Sequence, residues 1–192
     1  TKAIEQLLFH ECGHYMHALK TGGSYWGDVV QAEANNILNG RGPYGNGQQP
    51  TNSKGELIAL AEGWATFIEY RMMEENYGSP FRPANIENYT MYTRPNSQLE
   101  SDSQHWFLTG LFWDLYDANP AGSDIGDLVR LRNGTNGATF PRRREELEGD
   151  YQPLYDLMDR NTRRANDLEN RIISAYPVIR QRTINTFNAY GY

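Results

Sequence analysis

The sequence predicts a mainly α-helical fold, and three observations carry that prediction. Segments 2–20, 56–76 and 103–118 place apolar residues at helical rather than alternating spacing. From residue 141 onward charged and apolar residues again mix at helical spacing, which predicts two or three more helices. No stretch shows the period-two pattern of a half-buried strand.

The first helix covers residues 2–20 and closes at Gly22 and Gly23. On a wheel with His10 at 0° and about 100° per residue, Leu7, Ala18, Ile4, Tyr15, Leu8 and Leu19 fall between about 60° and 180°. His14 lies near about 40°, at the border of this apolar face. The pattern predicts a helix that buries the apolar face in the core and turns its histidine edge to a cleft.

Residues 35–55 are dense in Gly, Asn, Pro and Gln and are expected to form a long loop. The segment from Glu56 to Asn76 is apolar on most sides, which predicts a largely buried helix. Pro80, Pro83 and Pro95 mark a second irregular stretch. A third helix, about 103–118, stops at Asn119, Pro120 and Gly122, and a short one over 124–132 ends at Asn133 and Gly134.

With 192 residues the chain fits one domain, and an aromatic content of 12% supplies a core. The net charge of -6 argues against a phosphate backbone as partner. The basic run Arg142, Arg143 and Arg144 is followed at once by Glu145, Glu146 and Glu148, the pattern of a solvated helix start. No apolar run approaches the roughly 20 residues that a membrane span requires. Cys12 is the single cysteine, so no disulfide forms within the chain. Asp117, Asn119 and Asp124 suggest a calcium loop, but Ala121 and Leu128 break the EF-hand template, and a helix-terminating turn is the expectation there. The chain opens at Thr1 and is helical almost at once, so an upstream part is expected.

His10-Glu11-Cys12-Gly13-His14 is an H-E-x-x-H motif on a helix. Two histidines four positions apart share one side, about 6 Å apart along the axis, so both imidazoles can meet one zinc ion. Glu11, about 100° around the helix, can take a proton from water there. His17 shares the histidine face but lies about 10.5 Å along the axis from His10, too far to complete the set. It is expected to support the site or lie at the solvent edge. The spacing that would place a third histidine ligand on the same helix also fails, since it needs Gly at position 17 and His at position 20, where His17 and Lys20 stand. Glu62 is a carboxylate inside an apolar run, where burial is costly unless the charge is paired or bound to metal. A glutamate without metal, protonated or facing an arginine, is the other reading of that residue.

His10-Glu11-Cys12-Gly13-His14 followed by a helix carrying Ala61-Glu62-Gly63-Trp64-Ala65 resembles the gluzincin zinc metallopeptidases, the thermolysin-like and fungalysin-like enzymes. The resemblance covers residues 1 to about 118. It implies a zincin-like catalytic core over residues 1–140, with residues 141–192 a helical extension of the same domain. It implies Zn2+ held by His10, His14 and Glu62, Glu11 as general base, and hydrolysis of peptide bonds in peptide or protein substrates, with an endopeptidase the expected form. An inactive peptidase-like domain that binds or assembles is the alternative. The strand that pairs with substrate in such enzymes has no counterpart here, so an upstream segment or another chain would complete the fold. Family habit also implies a secreted or periplasmic protein.

Several positions depart from the pattern. Glu62 lies 62 - 14 = 48 positions after His14, a longer separation than is common. Relatives often carry an Asp four residues after the ligand Glu to orient a ligating histidine; here it is Thr66, which would do so more weakly. A histidine that stabilises the oxyanion often precedes a Trp-Asp-Leu segment, here Trp113-Asp114-Leu115. His105 is the candidate, though it stands only 113 - 105 = 8 residues before Trp113, and the nearer register falls on Asp102. Tyr70, Tyr89 and Tyr92 are the fallback donors.

Overall fold

The computed structural model describes residues 2–40, 42–44, 53–78, 81, 108–116, 151–190 and 192. These residues form seven α-helices: α1 (Lys2–Thr21), α2 (Gly23–Leu38), α3 (Ser53–Tyr77), α4 (Thr109–Tyr116), α5 (Gln152–Leu157), α6 (Ala165–Ala175) and α7 (Arg180–Ala189). A 3₁₀ turn, Pro177–Ile179, joins the last two. No β-strand occurs among the described residues, and the mainly helical expectation holds for them.

The first helix ends where its glycines predict. Gly22 takes φ 82°, a conformation closed to most L-residues, while its N–H still bonds the Ala18 carbonyl at 2.9 Å. The chain turns there and re-enters a helix at Gly23, so α2 occupies residues the sequence left unassigned and runs into the expected loop as far as Leu38.

Apolar residues on every side of α3 make it the centre of the packing. Trp64, Phe67 and Ile68 join α4 in one core cluster that continues into Leu154, Leu168, Ile172 and Phe187 of the C-terminal helices. Every residue of α4 is buried, including Asp114. The backbone of Leu108 crosses α3 so closely that its N–H bonds the Ala59 carbonyl at 3.3 Å. A Cβ on Gly63 would lie 2.7 Å from that same nitrogen, so this crossing requires a glycine next to Glu62. Tyr25 and Val29 of α2 pack on Leu57 and Ala61 in a second cluster.

Helix α1 runs antiparallel to α3: Glu5 meets Tyr77, Gln6 meets Glu69, and His14 meets Glu62. Gly13 makes the close approach possible, since a Cβ there would sit 2.7 Å from Ala65 Cα. This arrangement corrects the face assigned from the sequence. Leu7 and Leu8 are 60% and 56% exposed, and Tyr15 and Leu19 are each 65% exposed, whereas Gly13 and His17 are buried. The physical reason is fit: only the face bearing Gly13 can approach α3 this closely, and its imidazoles find a carboxylate there.

The C-terminal helices brace the α1–α2 corner through polar contacts. Tyr155 donates to the Met16 carbonyl at 3.1 Å, Lys20 pairs with Asp156 at 3.1 Å, and Arg163 reaches Asp28 at 2.5 Å. The boundary expected near residue 140, the short helix expected over 124–132 and the turn at Asp117–Asp124 lie outside the described residues.

Candidate metal centre

Antiparallel packing of α1 on α3 sets two imidazoles against one buried carboxylate. His10 Nε2 stands 3.3 Å from Glu62 Oε2, and His14 Nε2 stands 3.4 Å from Glu62 Oε1. One ligand atom from each of the three residues lies within 4.8 Å of the others. The two histidines face different oxygens of the one carboxylate, so all three side chains converge on a single point between α1 and α3. Nitrogen, nitrogen and carboxylate oxygen are also a donor set that a divalent transition metal accepts. His10, His14 and Glu62 thus form a group able to hold a metal ion.

Burial makes the group demanding. Glu62 is only 4% exposed. Burial pushes its carboxyl pKa up, but hydrogen bonds from His10 and His14 outweigh this and hold it down at about 2. His10 is the complementary case. Burial disfavours its imidazolium, yet hydrogen bonds to Glu62 and Glu69 prevail and raise its pKa to about 9. Without a metal the charges pair with each other; a divalent ion would take the place of the imidazolium proton.

The surroundings fix the rings. His14 stacks edge-on against His10, with centroids 4.7 Å apart, and against Trp26 at 5.2 Å. The Nδ1 of His10 lies 3.0 Å from Glu69 Oε2 on α3. The expected orienting residue, Thr66, does not take that place. His17, expected to support the site or lie at the solvent edge, is completely buried between Tyr25 and Trp26. Burial, with repulsion from His14, lowers its pKa to about 3, so it stays neutral. It does not join the three-residue group.

Glu11 lies on the exposed side of α1 between the two histidines. Its charge acts on Tyr44, a residue the sequence reading passed over. Tyr44 hydrogen-bonds the Glu62 carboxylate, and its hydroxyl pKa is pushed up by burial first and then by the charges of Glu62, Glu33 and Glu11. The phenol therefore keeps its proton and donates to Glu62. No sequence signal marked it, since it follows a Gly-Pro pair in the expected loop. Glu33 of α2 also faces this group; burial and then Glu62 raise its pKa. His105, Asp102, Tyr89 and Tyr92 lie outside the described residues. Tyr70 is half-buried against the main core cluster.

Comparison with protein-family models gives no match, and neither curated proteins nor solved structures give one. No helix among the described residues is long and apolar enough to cross a membrane.

Proposed function

We propose that this chain is a zincin-like zinc metallopeptidase that hydrolyses peptide bonds. One observation carries the proposal. Two histidines of an H-E-x-x-H helix and a glutamate 48 positions later (62 - 14) bring one ligand atom each within 4.8 Å of the others, with Glu11, between the two histidines in sequence, on the accessible side. Three protein ligands leave one position open, as a catalytic rather than a structural zinc site requires. When bound, zinc supplies a Lewis acid that polarises the scissile carbonyl and acidifies water.

The chain's own residues do the rest. His10 and His14 would hold the ion through their Nε2 atoms, and Glu62, hydrogen-bonded by Tyr44, would supply the negative charge. Glu11 accepts a proton from the attacking water and delivers it to the leaving amine. The water oxygen adds to the carbonyl carbon first, and the C–N bond breaks afterwards as the nitrogen takes the proton from Glu11, yielding a carboxylate and an amine.

Turnover of a quenched fluorescent peptide by the zinc-loaded chain tests this, with Glu11→Gln as the comparison. General base catalysis contributes about 10²–10⁴-fold, so Glu11→Gln should lose that much turnover while keeping one equivalent of zinc. Turnover that survives the substitution would overturn the assignment of Glu11. A zinc-loaded chain without any turnover would instead favour a peptidase-like binding module.

A further inference from the structure

His10 is gripped at both ring nitrogens. Its Nε2 faces Glu62 at 3.3 Å, and its Nδ1 faces Glu69 at 3.0 Å. Glu62 and Glu69 are seven positions apart on α3, so they project from nearly the same face, about 10.5 Å apart along the axis. Glu69 is only 9% exposed, and its other oxygen accepts a hydrogen bond from Gln6 Nε2 at 2.5 Å. Gln6 precedes His10 by one helical turn on α1, so Gln6, His10, Glu62 and Glu69 interlock across the two helices. The three ion-binding side chains account for Glu62 and leave Glu69 unused.

We propose that Glu69 is the positioning residue of this site, holding His10 as the Nδ1–H tautomer so that the Nε2 lone pair faces the metal. The proposal rests on the metal-centre reading above. Both ring nitrogens face carboxylates in the metal-free chain; when a metal takes Nε2, the ring proton that remains has its acceptor at Nδ1, where Glu69 Oε2 lies 3.0 Å away. Such a carboxylate also raises the basicity of the ligand nitrogen and fixes the plane of the ring. Gln6 in turn fixes Glu69: its amide holds the oxygen that His10 does not use. The acceptor sits three positions beyond Thr66, where the resemblance placed it. That offset matches the register of α1 on α3, because His10 lies between the levels of Glu62 and Glu69. His14 has no equivalent support, since its buried Nδ1 has no hydrogen-bond partner among the described residues. Of the two ring nitrogens that face away from Glu62, that of His10 therefore has a hydrogen-bond partner and that of His14 has aromatic packing.

Zinc affinity, measured by competition with a chromophoric chelator, tests the proposal on the full chain. Removing an outer partner of a ligating histidine typically costs 10–100-fold in metal affinity, and that is the loss expected for Glu69→Ala. Glu69→Gln keeps an acceptor without the charge and should recover part of it. Gln6→Ala should cost less than Glu69→Ala. Proton NMR of the zinc-loaded chain adds a signature that loss of packing would not give. A protected, downfield His10 Nδ1–H resonance is expected in the unmodified chain, weakened in Glu69→Gln and lost in Glu69→Ala. If Glu69→Ala fails to fold, as circular dichroism would reveal, Glu69→Gln and Gln6→Ala carry the comparison. Glu69 variants that bind zinc as tightly as the unmodified chain would overturn the role of Glu69 and leave the metal centre standing. An unmodified chain that binds no zinc would overturn both, and that outcome is distinct because it appears before any substitution.

Discussion

Replacing Gly13 with alanine is a sharp probe of how the site is built, because two effects of known sign oppose each other. In an unobstructed helix, alanine in place of glycine stabilises by about 1 kcal/mol. At Gly13 the added Cβ would lie 2.7 Å from Ala65 Cα and 3.2 Å from both the Ala65 oxygen and Ile68 Cβ. The first of these neighbours is backbone and cannot swing away. Ordinary carbon contacts begin at about 3.5–4.0 Å, so α1 must lift from α3 by roughly 0.8–1.3 Å at this point. Forcing a methyl into a packed interface costs about 1–3 kcal/mol. That cost falls where His10 and His14 must stay within 3.3 and 3.4 Å of Glu62. Carried into metal binding, it amounts to about 5–150-fold in zinc affinity. Gly27, in the middle of α2 with open space around its would-be Cβ, is the internal control. Urea unfolding and zinc competition on both variants form the assay. Gly27→Ala should unfold at higher urea with zinc binding unchanged, while Gly13→Ala should bind zinc more weakly and gain no stability. A Gly13→Ala chain that gains stability as Gly27→Ala does and holds zinc equally well would refute the close approach of α1 and α3.

Three further outcomes follow from the same geometry. His17 is buried neutral with a pKa near 3 against 6.5 unperturbed, so below pH 6.5 the unfolded chain binds a proton that the folded chain does not. Its contribution is complete above 6.5 and is lost by about 1.4 kcal/mol per unit as pH falls toward 3, and a His17→Phe variant should lose that slope in urea midpoints measured against pH. His10 titrates near 9 in the metal-free protein and must release its proton to bind a metal, so its contribution makes apparent zinc affinity rise about tenfold per unit up to about pH 9, measurable by chelator competition. Leu7→Ala and Leu19→Ala should each change the unfolding free energy by less than about 0.5 kcal/mol, because the two side chains are 60% and 65% exposed; burial of that face would make the cost about 2–5 kcal/mol.

Much of the site was legible in the sequence because its chemistry is local. Histidines four positions apart must share a helix side, and a glutamate inside an apolar run must have a partner when buried, so His10, His14 and Glu62 could be matched before any contact was known. The buried nature of α3 was equally plain from apolar residues on all its sides. Other features depend on the register between elements. The stripe Leu7, Leu8, Tyr15 and Leu19 has the pattern of a core face, but Gly13 decides which side of α1 can approach α3, and periodicity does not weigh the absence of a side chain. Helix α2 escaped notice because Gly22 and Gly23 mark the close of the first helix; Gly22 does turn the chain, while Gly23 already begins the next helix. Glu69 and Tyr44 touch the site only through tertiary packing, across 59 positions in the pair of Glu69 with His10. The resemblance pointed to position 66, where Thr66 would orient a histidine only weakly, and the offset of α1 against α3 brings Glu69 to His10 instead.

The proposed metal centre would hold one divalent ion between His10, His14 and Glu62. X-ray absorption at the zinc edge, joined to metal stoichiometry, addresses it most directly. One zinc per chain is predicted, with two imidazole nitrogens at about 2.0–2.1 Å and oxygen in the remaining positions, and Glu62→Ala should lose an oxygen and most of the affinity. A sulfur scatterer from Cys12, or zinc retained unchanged when Glu62 is replaced, would contradict it.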